Sequence, residues 1–173
     1  MLTFALALVL CADPHPTGVR LPAVRAALLE AKVEDQAVRD EAKRSDSEAT
    51  RARFRASSKR SVELMRKIVT EHGWPGRSLV GPDGVMAAWV LAQHLDEEPA
   101  LQRQCLGLLE RAVADGEADA ESLAYLTDRV LVNEGKPQRY GTQGNGAAGD
   151  VARVNANRKA LGLPPLPTRE TPR

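Results

Sequence analysis

The sequence predicts a mainly α, compact single-domain bundle of about five helices, with an irregular polar loop from Gln138 to Gly149 and a Pro-rich tail. Three observations carry this. Apolar residues recur at three-and-four spacing over long stretches, the pattern of a helix with one buried face. The stretches are punctuated by Gly and Pro rather than by strand-forming runs. With 173 residues, 43% of them hydrophobic but only two each of Trp, Tyr and Phe, the core is mostly Leu, Val and Ala, and a core so poor in aromatics favours helices.

Residues 1–12 read as a secretory signal segment. Leu2 to Leu10 is an almost unbroken apolar run followed by Cys11-Ala12 and Asp13-Pro14. It is too short to span a bilayer, which takes about twenty residues, and it matches the apolar region of a signal peptide. No Lys or Arg precedes it, and Leu10 is not a small residue, so the signal is atypical and a lipid anchor on Cys11 is disfavoured. Export to the periplasm or the medium is the expectation if the segment is a signal, and a cytoplasmic location otherwise. Residues 13–22 form a linker, 23–166 the helical domain and 167–173 the tail.

Within the domain, Val24, Ala27, Leu28, Ala31 and Val38 mark a first helix over about 22–44. Ser45 to Thr50 interrupts, and Phe54, Val62, Met65, Ile68 and Val69 mark a second helix that stops at Gly73-Trp74-Pro75-Gly76. Gly76 to Gly84, reading GRSLVGPDG, has turn composition. It lacks the Lys-Ser/Thr of a phosphate-binding loop, so a tight connection into a helix beginning at Val85 is expected. A helix over about 98–114 follows, opened by Pro99. Another is capped by Asp119 and ended by Asn133-Glu134-Gly135, and a last one is capped by Asp150 and stopped by Gly162.

Charge excludes one class of function. Lys plus Arg total 24 against 23 Asp plus Glu, so no overall field draws in nucleic acid. No zinc-spaced cysteines, G-x-S-x-G, H-E-x-x-H or Walker loop occurs, and three histidines are too few for a multi-histidine metal centre. No metal and no cofactor is expected. Cys105 shares an apolar face with Leu101, Leu108, Leu109 and Ala112 and reads as an inert buried thiol.

Two polar constellations remain. Gln93-His94-Leu95-Asp96 follows the apolar run that ends at Leu91. His94 is a candidate general acid or base tuned by Asp96 or Asp128; the architectural alternative is a hydrogen-bonded corner in which Asp96 caps the next helix. Tyr125 to Arg129 leads to Gln138-Arg139-Tyr140-Gly141-Thr142-Gln143, where phenol, amide, hydroxyl and backbone groups can converge on a ligand. The alternative there is a segment that satisfies helix ends, with Asp128-Arg129 as an internal ion pair.

The strings HGWPGRSLVGPDGVMAAWVLAQHLD, AYLTDRVLVNEGKPQRYGTQ and NRKALGLPPL resemble the DUF6624 proteins, an uncharacterised bacterial family of unknown function. The resemblance covers the chain from about Asp35. It implies a D-Q-x-x-R element (Asp35, Gln36, Arg39), a Trp-Pro loop (Trp74), a Q-H-x-D element (Gln93, His94, Asp96), a D-R pair (Asp128, Arg129) and Y-G-T-Q (Tyr140, Gly141, Thr142, Gln143). Two departures stand out: a short Gly/Ala-rich stretch after Gln143, and Asn155 where an aspartate is expected, a change that would weaken turnover were the aspartate catalytic. The sequence reading therefore places His94, Asp96 and Asp128 as catalytic candidates, and Trp74, Gln93, Arg129, Gln138, Tyr140, Thr142 and Gln143 as binding candidates, around one pocket for a small molecule or peptide. A hydrolase or transferase fits; a noncatalytic interaction domain is the alternative.

Overall fold

Helix formation begins where proline fixes the backbone. The computed structural model describes residues 18–147 and 149–166; the expected signal segment, the first half of the linker and the tail beyond residue 166 lie outside them. Pro22 opens α1 (Pro22–Arg44), whose last turn carries Lys43 and Arg44 against the negative end of the helix dipole. Only 45–47 separate it from α2 (Glu48–His72), because the Ser47 hydroxyl accepts from the Thr50 N–H at 3.1 Å and starts the helix before the apolar spacing resumes. The interruption expected over Ser45–Thr50 is thus three residues long. Gly73, at φ 70° and ψ −149°, ends α2 in a conformation open essentially to glycine alone.

The two helices run antiparallel. Arg60 pairs with Glu34, Arg53 reaches Glu41 at 2.7 Å, and the Arg39 guanidinium lies 5.0 Å from the centre of the Phe54 ring. These contacts bring Asp35 of α1 level with Ser57 of α2.

The third helix corrects the expected connection. α3 (Arg77–Gln93) already turns helically at Arg77 and is broken at Gly81 (φ 73°, ψ 169°) before Pro82. Its first turn is capped from a distant part of the chain: the Glu117 carboxylate accepts from the Ser78 N–H at 2.7 Å, and the Glu117 carbonyl accepts from the Arg77 N–H at 3.0 Å. Buried Val80, Val85, Ala88, Leu91 and Ala92 make α3 the central element, packed chiefly on α1 and touching α2, α4 and α5.

Pro99 opens α4 (Pro99–Ala114), which packs beside α5 (Ala120–Asn133). Asp119 stands at the start of α5 but makes no cap; its carboxylate pairs with Arg77. Asp150 does cap α6 (Val151–Ala160), accepting from the Arg153 N–H at 2.9 Å. The core joins Leu28, Met65, Ile68, Leu91, Leu101, Leu109 and Leu126, each at most 2% exposed. Cys105 is within it, and burial pushes its thiol up to about 12, which removes the reactive thiolate at neutral pH. Six helices and no strand occur among the described residues, so the chain is all-α. None of these helices is long and apolar enough to cross a membrane.

Candidate functional site

A carboxylate on the apolar stripe of a helix has to find partners, since an unpaired buried charge is prohibitively costly. Asp35 is 1% exposed on the face of α1 that also buries Leu28 and Val38. Arg39, one turn along, places Nε 3.0 Å from both of its oxygens, and the Gln36 amide donates at 3.3 Å. The third partner comes from α3: His94 Nδ1 is 2.6 Å from Asp35 Oδ2. Burial pushes the Asp35 carboxyl up, but the hydrogen bond and charge of His94, together with Arg39, outweigh it and hold the group below the usual aspartate value.

His94 is positioned by the end of α3, where its N–H still bonds the Leu91 carbonyl at 3.0 Å. With Asp35 accepting at Nδ1, that nitrogen carries the proton, so the other nitrogen of a neutral ring presents a lone pair. Nε2 has no hydrogen-bond partner among the described residues and is not sealed from solvent; the side chain is 22% exposed. The Arg39 Nη groups likewise make no hydrogen bond to described residues. An open base and two open donors therefore flank one buried carboxylate. Ser57, level with Asp35, is 1% exposed and its hydroxyl is without a partner among the described residues.

The other candidates fall into separate groups. Asp96 faces α5 rather than the imidazole. Arg129 Nε and Asn133 Nδ2 each reach its Oδ1 at 2.8 Å, and Gln102 donates at 3.3 Å. Nor does Asp96 cap α4, whose first turn has no side-chain cap. Burial raises its pKa, but Arg129, Asn133 and Gln102 more than offset this and lower it overall; the Arg129 guanidinium is raised in return. Arg129 is thus engaged by Asp96 and not by Asp128.

Asp128, fully buried, takes another role. It accepts from the backbone N–H groups of Arg139 at 2.6 Å, Tyr140 at 3.0 Å and Thr142 at 2.8 Å, and from the Thr142 hydroxyl at 2.9 Å. Gln138 clasps the same loop from within, donating to the carbonyls of Gln143 and Asn145 and accepting from the Gln143 N–H. The Gln143 amide donates to the Tyr125 carbonyl at 3.1 Å, and the Tyr140 ring is buried. These groups are turned onto one another and onto α5.

Gln93 links α3 to α5: its amide oxygen, in the orientation its neighbours dictate, accepts from the Leu126 N–H at 2.9 Å and from Trp89 Nε1 at 3.2 Å. Trp74 walls a depression of about 620 Å³ with Arg20, His72 and Arg111, and its own N–H has no partner among the described residues. Asn155 holds the end of the domain, accepting from the Leu166 N–H at 2.8 Å.

Sequence reasoning missed Asp35 as the imidazole's partner. Two signals pointed to it: the D-Q-x-x-R element, and an aspartate in phase with Leu28 and Val38 on an otherwise apolar stripe.

Asp35 and Asp96 make a pH prediction. Their folded pKa values lie below the unfolded value of about 3.9, so their stabilisation is complete above that pH and is lost as pH falls through the folded values. Melting temperature followed by circular dichroism should fall below about pH 4, and less steeply in Asp96→Asn. Equal slopes in the two proteins would contradict the pairing.

Fold and site together define an all-α domain with a buried Asp, an Arg and a half-open His at the junction of three helices. The chain belongs to DUF6624, a family of unknown function whose model matches residues 22–170. No curated protein and no solved structure matches it.

Proposed function

We propose that this chain is a hydrolase or group transferase in which His94 is the general acid or base, Asp35 orients its ring, and Arg39 holds an anionic group of a small-molecule or peptide substrate. The observation that carries the reading is the 2.6 Å contact of His94 Nδ1 with buried Asp35, which leaves Nε2 open. A carboxylate behind an imidazole fixes one tautomer and stabilises the imidazolium that forms when Nε2 takes a proton. Arg39, already held by Asp35, offers Nη donors suited to a carboxylate or phosphate. We further propose that the apolar run at Leu2–Leu10 directs export.

A noncatalytic interaction domain is the second reading. It is favoured by the full engagement of Asp128, Gln138 and Gln143 within the protein.

Turnover separates the two. Wild type and His94→Asn are compared on panels of carboxylic esters, amides and phosphate esters, with melting curves recorded in parallel. The catalytic reading expects activity in wild type and its loss in the variant at a similar melting temperature. Activity that survives in His94→Asn would overturn it.

A further inference from the structure

We infer that the cleft walled by α4, α5, α6 and the loop residues Gln138, Arg139 and Gly149 is a second binding site, for a small amphipathic anion: an apolar body carrying one carboxylate, sulfonate or phosphate group. The cleft has a volume of about 880 Å³, within the roughly 300–1,000 Å³ of pockets that hold small organic ligands. It shares no lining residue with the Asp35–His94–Arg39 cluster, so it stands or falls independently of the proposed reaction.

Its chemistry is divided. Leu106 from α4, Val130 and Leu131 from α5 and Val154 from α6 supply apolar wall. The charged lining has four cations, Arg103, Lys136, Arg139 and Arg153, against Glu110, Glu134 and Asp150. Arg103 and Lys136 are both held by Glu134, at 3.1 and 2.7 Å. Arg139 and Arg153 have no carboxylate partner among the described residues, and Asp150 turns its carboxylate to the backbone N–H of α6. Two guanidinium groups are thus left beside apolar wall, an arrangement that suits a ligand of the same division.

The wall is also held in shape before any ligand arrives. Asp128 and Gln138 fasten the loop from behind. At Gly149 a Cβ would lie 2.7 Å from the Gln138 carbonyl, so the two ends of the loop approach as closely as glycine permits. A pre-formed wall spares a ligand the cost of ordering it.

The test uses the full chain and two fluorescent probes, 8-anilinonaphthalene-1-sulfonate and N-phenyl-1-naphthylamine, which has the same rings without the sulfonate. Three variants decide. Gly107 lines the cleft from α4, and a Cβ added to it would meet nothing within 4 Å, so Gly107→Trp fills the space without disturbing the helix, where glycine is the poorer former. Arg139→Gln with Arg153→Gln removes the charge and keeps the backbone N–H groups that Asp128 and Asp150 use. His94→Asn is the control.

The sulfonate should bind saturably, about tenfold or more tighter than the neutral probe. Gly107→Trp should abolish that binding, the double Arg variant should reduce it to the level of the neutral probe, and His94→Asn should leave it unchanged. No saturable sulfonate binding, binding that survives Gly107→Trp, or equal affinity for both probes would each overturn the assignment.

Discussion

Asp128→Ala is expected to destabilise the protein by about 3–5 kcal/mol, a large part of the roughly 5–15 kcal/mol that holds a typical domain together. The carboxylate is fully buried and accepts from three backbone N–H groups and one hydroxyl of the 139–142 segment. Truncation leaves those donors facing alanine, and each buried donor without an acceptor costs about 1–3 kcal/mol, less whatever water can enter. For a domain of this size the melting temperature should drop by roughly 10 °C.

The loss should also be local. Amide exchange in the 138–147 loop should accelerate beyond that of α3, because Asp128 ties the loop down while α3 is held by core packing. Asp128→Asn should fall between, as it keeps one acceptor and turns an NH₂ toward donors. A melting temperature within a degree or two of wild type for the Ala variant would show that the loop does not depend on this carboxylate.

His94→Asn is expected to lower turnover by about 10²–10⁴-fold, the usual contribution of a positioned acid or base. The substitution is chosen on geometry. An asparagine amide nitrogen takes the place of Nδ1 and can still donate to Asp35, so the buried carboxylate keeps its partner while the basic nitrogen is gone. Stability should therefore change little. Asp35→Ala is the contrasting case: it removes the acceptor shared by Arg39, Gln36 and His94 and should cost both folding and activity. Should His94→Asn unfold the protein as readily as Asp35→Ala, His94 would be a structural partner of the buried charge.

Most helix ends were legible where the chain carries its own stop or cap, the Ser47 cap of α2, lost in a polar stretch, being the exception. Pro22, Gly73, Pro99 and Asp150 act within a turn of the boundary they set. The stretch from Gly76 to Gly84 was not legible, because its helical turn is capped by Glu117, far along the chain, and composition alone reads as turn. Asp119 shows the converse: its position suits a cap, and Arg77 takes its carboxylate instead.

The site divides in the same way. A carboxylate behind His94 was one of the two readings the residues allowed, with Asp96 or Asp128 in that place; the carboxylate found there is Asp35. Asp96 and Asp128 are near His94 in sequence or motif, but one is claimed by Arg129 and Asn133 and the other by backbone amides. A carboxylate that faces an imidazole and one that faces N–H groups look alike in sequence: Asp35 and Asp128 both lie inside helices, on faces that also bury apolar residues. Asp35 is far from His94 along the chain, and only the packing of α1 on α3 brings them together.

The orientation of the His94 ring is the most direct test of the proposed chemistry. Long-range ¹H–¹⁵N correlation spectra of the full chain, at a pH where the imidazole is neutral, report which nitrogen carries the proton. A general acid or base at His94 requires Nδ1–H, bonded to Asp35, with Nε2 the unprotonated nitrogen, and a loss of that preference in Asp35→Asn. An Nε2–H tautomer in the wild type would leave no basic nitrogen facing solvent and would contradict His94 as the acid or base.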